Sequence, residues 1–361
     1  MTHHEANTTE ARASARRARR GFTMLEAGAV AGALAIVAVA TVPVFRKVGC
    51  SAMRAQSATQ LATLSAAHAA YAADNDGRQF TLCPDDLGAF GGNFTQWEAV
   101  NGCAPRAIFG TTQSGQTYSA GTSCAGGGNG SPYLVPMTFS LTGPHDIGSH
   151  RITNVRQFNT YVGGRFYDQT FYAPDDPGIN RRVQRNINAG LDYEPDAQNF
   201  TSYDYSPAAM YDPQVFGLGT NPNSPIFRNP NTLAGGVGYR SPSNAMCVHP
   251  ALKTRLLEHS AYDNSPGANP AYAGGTTPYQ WNHSLRSRSL ALFFDGSVRL
   301  FGTSEAMKAE ARAGGAKLWL RSTPLGSSGY GGGQAHDLFV QTSAHWLTAM
   351  GIAGRDTLAP D

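Results

Sequence analysis

The stretch RRGFTMLEAG, residues 19–28, places a single acidic residue, Glu26, at the beginning of an apolar segment. It follows a basic run, ARASARRARR at residues 11–20, and it leads into residues 27–45, which carry no charge. A helix over this uncharged segment would be about 28 Å long, close to the ~30 Å thickness of the hydrocarbon core of a bilayer. The order of these features predicts a membrane-inserted N-terminus.

The net charge of the chain lies entirely in its first 21 residues. The whole chain sums to +3, and residues 1–21 hold five arginines against two glutamates. The remaining residues are therefore neutral overall, which gives no electrostatic case for a nucleic-acid partner. A basic run beside an apolar segment instead indicates membrane orientation, because positive residues stay on the cytoplasmic side.

Several interpretations of the N-terminus are open from the residues alone. One is a secretory signal peptide cut before Thr41, and a variant is a twin-arginine signal. A plain membrane anchor is a further alternative. The last interpretation is cleavage between Gly21 and Phe22, and it explains Glu26. An ionisable group at the bilayer needs a partner, and the α-amino group created by the cut would neutralise this glutamate on a neighbouring subunit.

The hexapeptide GFTMLE, residues 21–26, resembles the cleavage and methylation motif of type IV prepilins and type II secretion pseudopilins. In that family a membrane peptidase cuts after the glycine and methylates the new N-terminal residue. The resemblance implies cleavage after Gly21, N-methylation of Phe22 and a role for Glu26 in docking onto the growing filament. It also implies a helix break at Pro43, for which proline supplies the physical reason.

The resemblance also implies where the protein acts. The expected partners are a prepilin peptidase, other pilin or pseudopilin subunits and an inner-membrane assembly platform. The chain would be a single-pass inner-membrane protein whose head is periplasmic, or extracellular in a filament. The alternative is an exported binding protein, or an enzyme of unknown class, that uses the large head.

The chain divides into a leader at residues 1–21, a membrane and stalk helix at residues 22–76 and a head at residues 77–361. Residues 46–73 lack proline and carry apolar residues at intervals of three and four. This spacing predicts that the helix continues past the membrane with one face on the head. His68 falls on that stripe and is expected to be a core or interface histidine.

The head is predicted to be loop-rich and mainly antiparallel β-structure, which with the long N-terminal helix gives a pilin-like α+β fold. Short apolar and aromatic runs between turn residues indicate strands at residues 131–141, 156–164 and 165–174. Short helices are predicted at residues 304–313 and 342–351.

The clearest local signal in the head is Asp295-Gly296, which separates two apolar runs. This dipeptide favours a two-residue type I′ hairpin turn, in which both central residues have positive φ. The predicted register pairs Phe293 with Val298 on a buried face. The hairpin also resembles the C-terminal H-X9-DG module found with prepilin-type N-termini. His283 is the candidate for the histidine of that module, although eleven residues rather than nine follow it.

Two sets of residues are candidates for ligands or cross-links. Asp74 and Asp76 lie in the turn after the stalk helix and are candidate calcium ligands, with a solvated turn as the other interpretation. Cys83, Cys103 and Cys124 are candidates for a disulfide if the head is exported to an oxidising compartment. No other metal site or cofactor is expected.

The sequence predicts no enzyme activity. It contains no G-x-S-x-G, H-E-x-x-H, Walker or Rossmann motif. His145-Asp146 with His150, and His336-Asp337 with His345, have the composition of metal or acid–base sites. Such residues also occur by chance in loops of a chain this long, and we assign them to loops.

Overall fold

A helix, α1, begins the part of the chain that the computed structural model describes, and it spans residues 51–74. The described residues are 51–103, 106–121, 132–139, 148–174, 176–195, 200–221, 223–258, 288–320, 323 and 343–359. Among them, no helix combines the length and the apolar character that crossing a membrane requires. The predicted apolar segment, residues 27–45, lies outside the described residues.

One face of α1 is buried and the other is exposed. Buried positions recur every three or four residues, which is the spacing of a single helix face. They are Ser57, Gln60, Leu61, Leu64, Ala67, His68 and Ala72. From Ala52 onward, α1 belongs to the same compact unit as the rest of the head. The helix therefore packs on the head through the stripe that the sequence periodicity predicts.

An Asp-Asn-Asp-Gly turn ends α1. The carbonyl of Ala72 accepts hydrogen bonds from the N–H of Gly77 at 2.7 Å and from that of Asn75 at 3.2 Å. Asp76 has φ 51° and Gly77 has φ 76°, so both adopt the left-handed conformation. Glycine reaches that conformation without steric cost, which makes Gly77 the helix stop predicted from the sequence.

The described residues form two antiparallel sheets. The smaller pairs β1 with β2, and the larger has the strand order β3-β4-β5-β6. The strands are β1 (Ala107–Thr111), β2 (Thr117–Ala120), β3 (Tyr203–Tyr205), β4 (Thr254–Glu258), β5 (Ser289–Phe293) and β6 (Val298–Phe301). Every residue of β3, β4 and β5 is buried, so these strands do not alternate between the core and the solvent. With α1 packed on the larger sheet, the fold is mixed α+β.

The β5–β6 hairpin turns at Asp295 and Gly296, but its turn is not type I′. The N–H of Gly296 donates to the carbonyl of Phe293 at 3.0 Å, and the N–H of Phe293 donates to the carbonyl of Ser297 at 2.9 Å. These bonds enclose a three-residue loop instead of a two-residue one. Gly296 has φ 84°, whereas Asp295 does not have a positive φ. The predicted turn type is therefore wrong.

The strand register differs from the predicted one by one residue. Leu292, and not Phe293, pairs with Val298, and Ala291 pairs with Arg299. Because side chains alternate between the faces of a sheet, this shift exchanges the two faces of one strand relative to the other. Arg299 consequently shares a face with Phe293, and its guanidinium lies 3.7 Å from the centre of that ring.

The remaining helices correct several predictions. They are α2 (Phe94–Asn101), α3 (Arg156–Asn159), α4 (Pro177–Asn188) and α5 (Thr303–Arg312). The predicted helix at residues 304–313 is confirmed by α5. The predicted helix at residues 342–351 is wrong, because His345 and Met350 have φ of 75° and 65°, which a right-handed helix excludes.

In their described residues, the three segments predicted as strands form short helices, turns and irregular stretches. They contain a 3₁₀-helix at Pro132–Leu134, α3, and a 3₁₀-helix at Gln169–Phe171. The Asp168 carboxylate caps the last of these by accepting a hydrogen bond from the Thr170 N–H at 2.9 Å. The aromatic residues that suggest strands serve the core instead, since Phe158 and Phe171 are fully buried.

The C-terminal segment, residues 343–359, contributes to the core of the head. The N–H of Leu320 donates to the carbonyl of Leu347 at 2.9 Å, and the N–H of Ala349 donates to that of Leu318 at 2.9 Å. Trp346 is fully buried. This segment brings its polar side chains against β4, where they form the cluster described below.

Candidate functional site

The residues predicted to direct processing and assembly lie outside the described residues. These are Gly21, Phe22, Glu26, Pro43 and the module histidine His283. The described part of the chain therefore bears on the function through α1, through the cysteines and the acidic turn, and through buried polar clusters of the head.

Three hydrogen bonds, two buried and one part-buried, join α1 to the head. Ser57 Oγ donates to Glu258 Oε1 at 3.0 Å. The hydroxyl of Tyr203 donates to Gln60 Oε1 at 2.6 Å, and Gln60 Nε2 donates to the carbonyl of Gln169 at 2.9 Å. Buried polar groups are costly unless they are hydrogen-bonded, so sliding or rotating α1 would leave these groups without partners. The bonds therefore fix the position of α1 on the head.

His68 lies farther along the same face, between two aromatic rings. Its ring centre is 4.4 Å from that of Phe158 and 4.8 Å from that of Tyr205. Burial lowers the pKa of His68 well below its usual value, and the positive charge of Arg255 lowers it further. His68 Nε2 has no hydrogen-bond partner among the described residues. The junction thus holds a neutral imidazole, as expected for a core or interface histidine.

The outer face of α1 remains exposed along the whole described helix. Its side chains are mostly small or polar, and they include Arg54, Thr59, Thr63, Ala66 and Ala70. α1 is consequently attached to the head along one side and offers the other side to solvent. The described residues of the head leave this face of the helix uncovered.

The acidic turn after α1 makes a hydrogen bond within the head. Asp74 Oδ2 accepts from the hydroxyl of Tyr161 at 3.0 Å, and Asp76 is one of the two left-handed residues of the turn. In the described ranges, no group of three or more His, Cys, Asp or Glu side chains is placed to hold a metal ion. The two aspartates thus form part of the helix stop, and their use as calcium ligands stays a prediction.

The cysteines predicted to share a disulfide have different environments. Cys103 is disulfide-bonded. Cys83 and Cys247 are free thiols, and Cys83 is buried in the core. The partner of Cys103 therefore lies outside the described residues, as does Cys124. Burial, with smaller contributions from Asp85 and Asp86, raises the pKa of Cys83 well above its usual value, so this thiol is unreactive.

A buried ion pair, Lys253–Asp356, is the centre of a polar cluster that no sequence motif indicates. Lys253 Nζ donates to Asp356 Oδ2 at 2.8 Å, to Thr348 Oγ1 at 2.8 Å and to Ser206 Oγ at 2.9 Å. Asp356 also accepts from the N–H of Thr254 at 2.9 Å. The side chains of Lys253 and Asp356 are both fully inaccessible to solvent.

A lysine beside a serine hydroxyl is an arrangement that can activate a nucleophile, but the ionisation of this cluster opposes that use. Burial raises the pKa of Asp356, yet Lys253 and the hydrogen bonds to the carboxylate outweigh burial and lower it to about 2. Burial lowers the pKa of Lys253, and Asp356 opposes that shift. The carboxylate stays ionised and the cluster is sealed from solvent. We therefore assign it a structural role, joining the C-terminal segment to β4.

Trp346 lies between two buried histidines. Its ring centre is 4.8 Å from that of His345 and 6.0 Å from that of His150, with edge-on geometry in both contacts. Burial lowers the pKa of both imidazoles, that of His345 to about 3. Neutral histidines against an aromatic ring are typical of core packing. The two candidate sites named in the sequence analysis also include Asp146 and Asp337. Both aspartates lie outside the described residues.

Comparisons of the chain with protein-family models, with curated proteins and with solved structures find no match.

Proposed function

We propose that this chain is a prepilin-like structural subunit. It is cleaved after Gly21, N-methylated at Phe22 and anchored in the inner membrane by residues 27–45. The mature subunit assembles into a type II secretion pseudopilus or a type IV pilus-like filament, with the head in the periplasm or outside the cell. Its partners are a prepilin peptidase, other pilin or pseudopilin subunits and the inner-membrane assembly platform.

The observation that carries the proposal is the arrangement of α1. The described part of this helix starts at residue 51, shortly after the apolar segment, and is attached to the head along one face from Ser57 to Ala72. A signal peptide that is removed gives no reason for a helix to follow the membrane segment so closely. A subunit that packs by its N-terminal helix needs such a helix, with a head attached to one side and the other side free.

The position of Glu26 supports the same assignment. An unpaired carboxylate in the bilayer costs several kcal/mol, and an amine within hydrogen-bond reach offsets much of that cost. Cleavage after Gly21 supplies an amine at Phe22, and assembly brings that amine of one subunit to Glu26 of the next. The glutamate would then both drive docking and set the register between neighbouring subunits.

Two substitutions and one control test the proposal in cells that carry a pilin-type assembly system. Glu26→Ala should still be inserted and cleaved but should be absent from sheared filaments, whereas Gly21→Val should block cleavage. Glu10→Ala is the matched control. It makes the same change within the leader, which cleavage removes, so it should leave filaments unaffected.

The intact mass of the mature chain decides between the interpretations. A chain that starts at methylated Phe22 supports the proposal. A chain that starts at Thr41 identifies a removed signal peptide and an exported binding protein or enzyme, and the proposal then fails. Filaments that still incorporate Glu26→Ala would contradict the docking role.

A further inference from the structure

Cys103 carries a disulfide, and its partner is one of two residues. The chain contains five cysteines. Cys103 is disulfide-bonded, whereas Cys83 and Cys247 are free thiols. This leaves Cys50 and Cys124, which both lie outside the described residues. The hairpin of β1 and β2, which begins four residues after Cys103, distinguishes between them.

The two chain segments at the open end of this hairpin run opposite each other. Ala107, the first residue of β1, pairs with Ala120, the last residue of β2. One residue farther out, a Cβ placed on Gly121 would lie 3.3 Å from the Cα of Arg106. The two segments therefore stay side by side beyond the last strand pair, with one residue on each side per step.

We propose that Cys103 is bonded to Cys124 and that this disulfide staples the open end of the hairpin. Counted outward from Ala107 and Ala120, the fourth residue on one side is Cys103 and the fourth on the other is Cys124. Residues directly opposite each other in antiparallel strands have Cα atoms about 4.5–5.5 Å apart. That spacing lies within the range of about 4.4–6.8 Å that a disulfide bridges. Cys50 precedes α1 in the sequence and does not belong to this hairpin.

A cross-link at this position stabilises a weak element of the fold. In the described part of the chain, β1 and β2 form a sheet of only two strands, and a two-stranded hairpin is marginally stable in water. Hydrogen bonds from β1 fasten it to the head. The N–H of Ile108 donates to Gln157 Oε1 at 3.3 Å, and the N–H of Thr111 donates to Asp192 Oδ2 at 2.8 Å. The disulfide adds stability, because it limits the freedom of the unfolded chain between its ends.

Formation of this bond requires an oxidant, which we assign to a thiol–disulfide oxidoreductase. The thiolate of Cys103 attacks the disulfide of the oxidoreductase, forms a mixed disulfide and releases one thiolate of that enzyme. The thiolate of Cys124 then attacks Cys103 Sγ, which forms the bond of the head and releases the oxidoreductase as a dithiol. Two electrons and two protons thus pass from the two cysteines to the oxidoreductase.

The head must therefore reach an oxidising compartment, because disulfides persist there and are rare in the cytosol. The inference does not rest on the proposed function, since a retained membrane helix and a removed signal peptide both deliver the head to such a compartment.

A peptide map of the full-length chain tests the pairing. Free thiols are blocked with N-ethylmaleimide during lysis of cells that export the chain, and the protein is digested with trypsin without reduction. Trypsin cuts after Arg106, so Cys103 and Cys124 fall on different peptides, which mass spectrometry identifies. Cys124→Ser removes the proposed partner, and Cys50→Ser is the matched control because it removes the other candidate.

The map of the wild-type chain should join the peptide that contains Cys103 to the one that contains Cys124. Cys103 should be alkylated in Cys124→Ser, whereas Cys50→Ser should keep the link. Alkylated Cys103 in the wild-type chain, or a link between Cys103 and Cys50, would overturn the pairing. In pulse-labelled cells that lack the periplasmic thiol oxidase, the link should form at least tenfold more slowly, and an unchanged rate would overturn the role of that enzyme.

Thermal melting tests the staple itself. Cys103→Ser, Cys124→Ser and the double variant should lower the melting temperature by the same amount, because each of the three removes one and the same bond. A double variant that loses clearly more than either single variant, or single variants that melt like the wild-type chain, would contradict the staple.

Discussion

Replacing His68 with glutamine should reduce the loss of stability that acid causes. His68 is buried as a neutral imidazole between Phe158 and Tyr205, with Arg255 disfavouring its protonation. The folded chain therefore takes up a proton at this site only at a lower pH than the unfolded chain does. The unfolded chain does so below its ordinary pKa of about 6.5. Stability is thus fully present above that pKa and is lost as the pH falls below it.

The magnitude follows from the two protonation equilibria. For one histidine that stays neutral in the folded state, protonation of the unfolded chain lowers the free energy of unfolding by about 2 kcal/mol at pH 5, against about 0.2 kcal/mol at pH 7. His150 and His345 are also buried with lowered pKa values. Acid should therefore destabilise the wild-type chain through these two histidines in the same direction.

Urea unfolding of the full-length chain in micelles, followed by tryptophan fluorescence at pH 7 and pH 5, measures this difference. His68→Gln should lose about 2 kcal/mol less than the wild-type chain over that interval, whatever its absolute stability. Tyr71→Phe is the matched control on the same helix. Burial, followed by the effect of Tyr161, raises the pKa of Tyr71 to about 12, so it is uncharged at both pH values. A His68→Gln variant with the full wild-type loss would refute the reasoning.

Three further predictions concern the head. Asp356→Ala should lower the free energy of unfolding by about 3–5 kcal/mol, because it leaves the charge of Lys253 buried without its partner. An unchanged melting temperature would contradict the structural role of the cluster. Gly296→Val should cost about 1–2 kcal/mol, because φ is 84° at this position, and melting of the variant measures it. A non-reducing peptide map should find Cys103 in a disulfide and Cys83 reduced, and a bridge between these two would contradict the structure.

The features predicted well from the sequence depend on local periodicity. The stripe on α1 needs only an apolar or buried residue every three or four positions, and Gly77 ends the helix through its own backbone freedom. The helix α5 is likewise indicated by a short run of helix-forming residues. Interactions within a few residues determine each of these, so a single sequence contains the information.

The hairpin register could not be predicted, because it depends on distant contacts. Asp295-Gly296 is compatible with a two-residue or a three-residue loop. In the structure the N–H of Phe294 donates to the carbonyl of Lys253 at 3.1 Å, and the N–H of Asp295 donates to that of Pro250 at 3.1 Å. These bonds tie the loop to a segment more than forty residues earlier in the chain. Nothing in the local sequence distinguishes the two loops.

The cluster around Lys253 gives a partial signal in the sequence. A lysine next to the apolar residues of β4 is unusual, because lysine is almost never fully buried unless it is paired. That observation would have predicted an acidic partner. It could not have identified Asp356, which is 103 residues away in the chain. For the same reason, the approach of His150 and His345 to Trp346 is visible only in the folded molecule.

The attachment of α1 along its length also determines how the head responds to mechanical force. The buried contacts extend from Ser57 to Ala72, over about 22 Å of helix. A pull on residue 51 along the helix axis would load these contacts together, in shear, instead of breaking them one after another from the end. Under such tension, the exposed turns before Ser57 should stretch and unwind first, while the head keeps its hold on the rest of the helix.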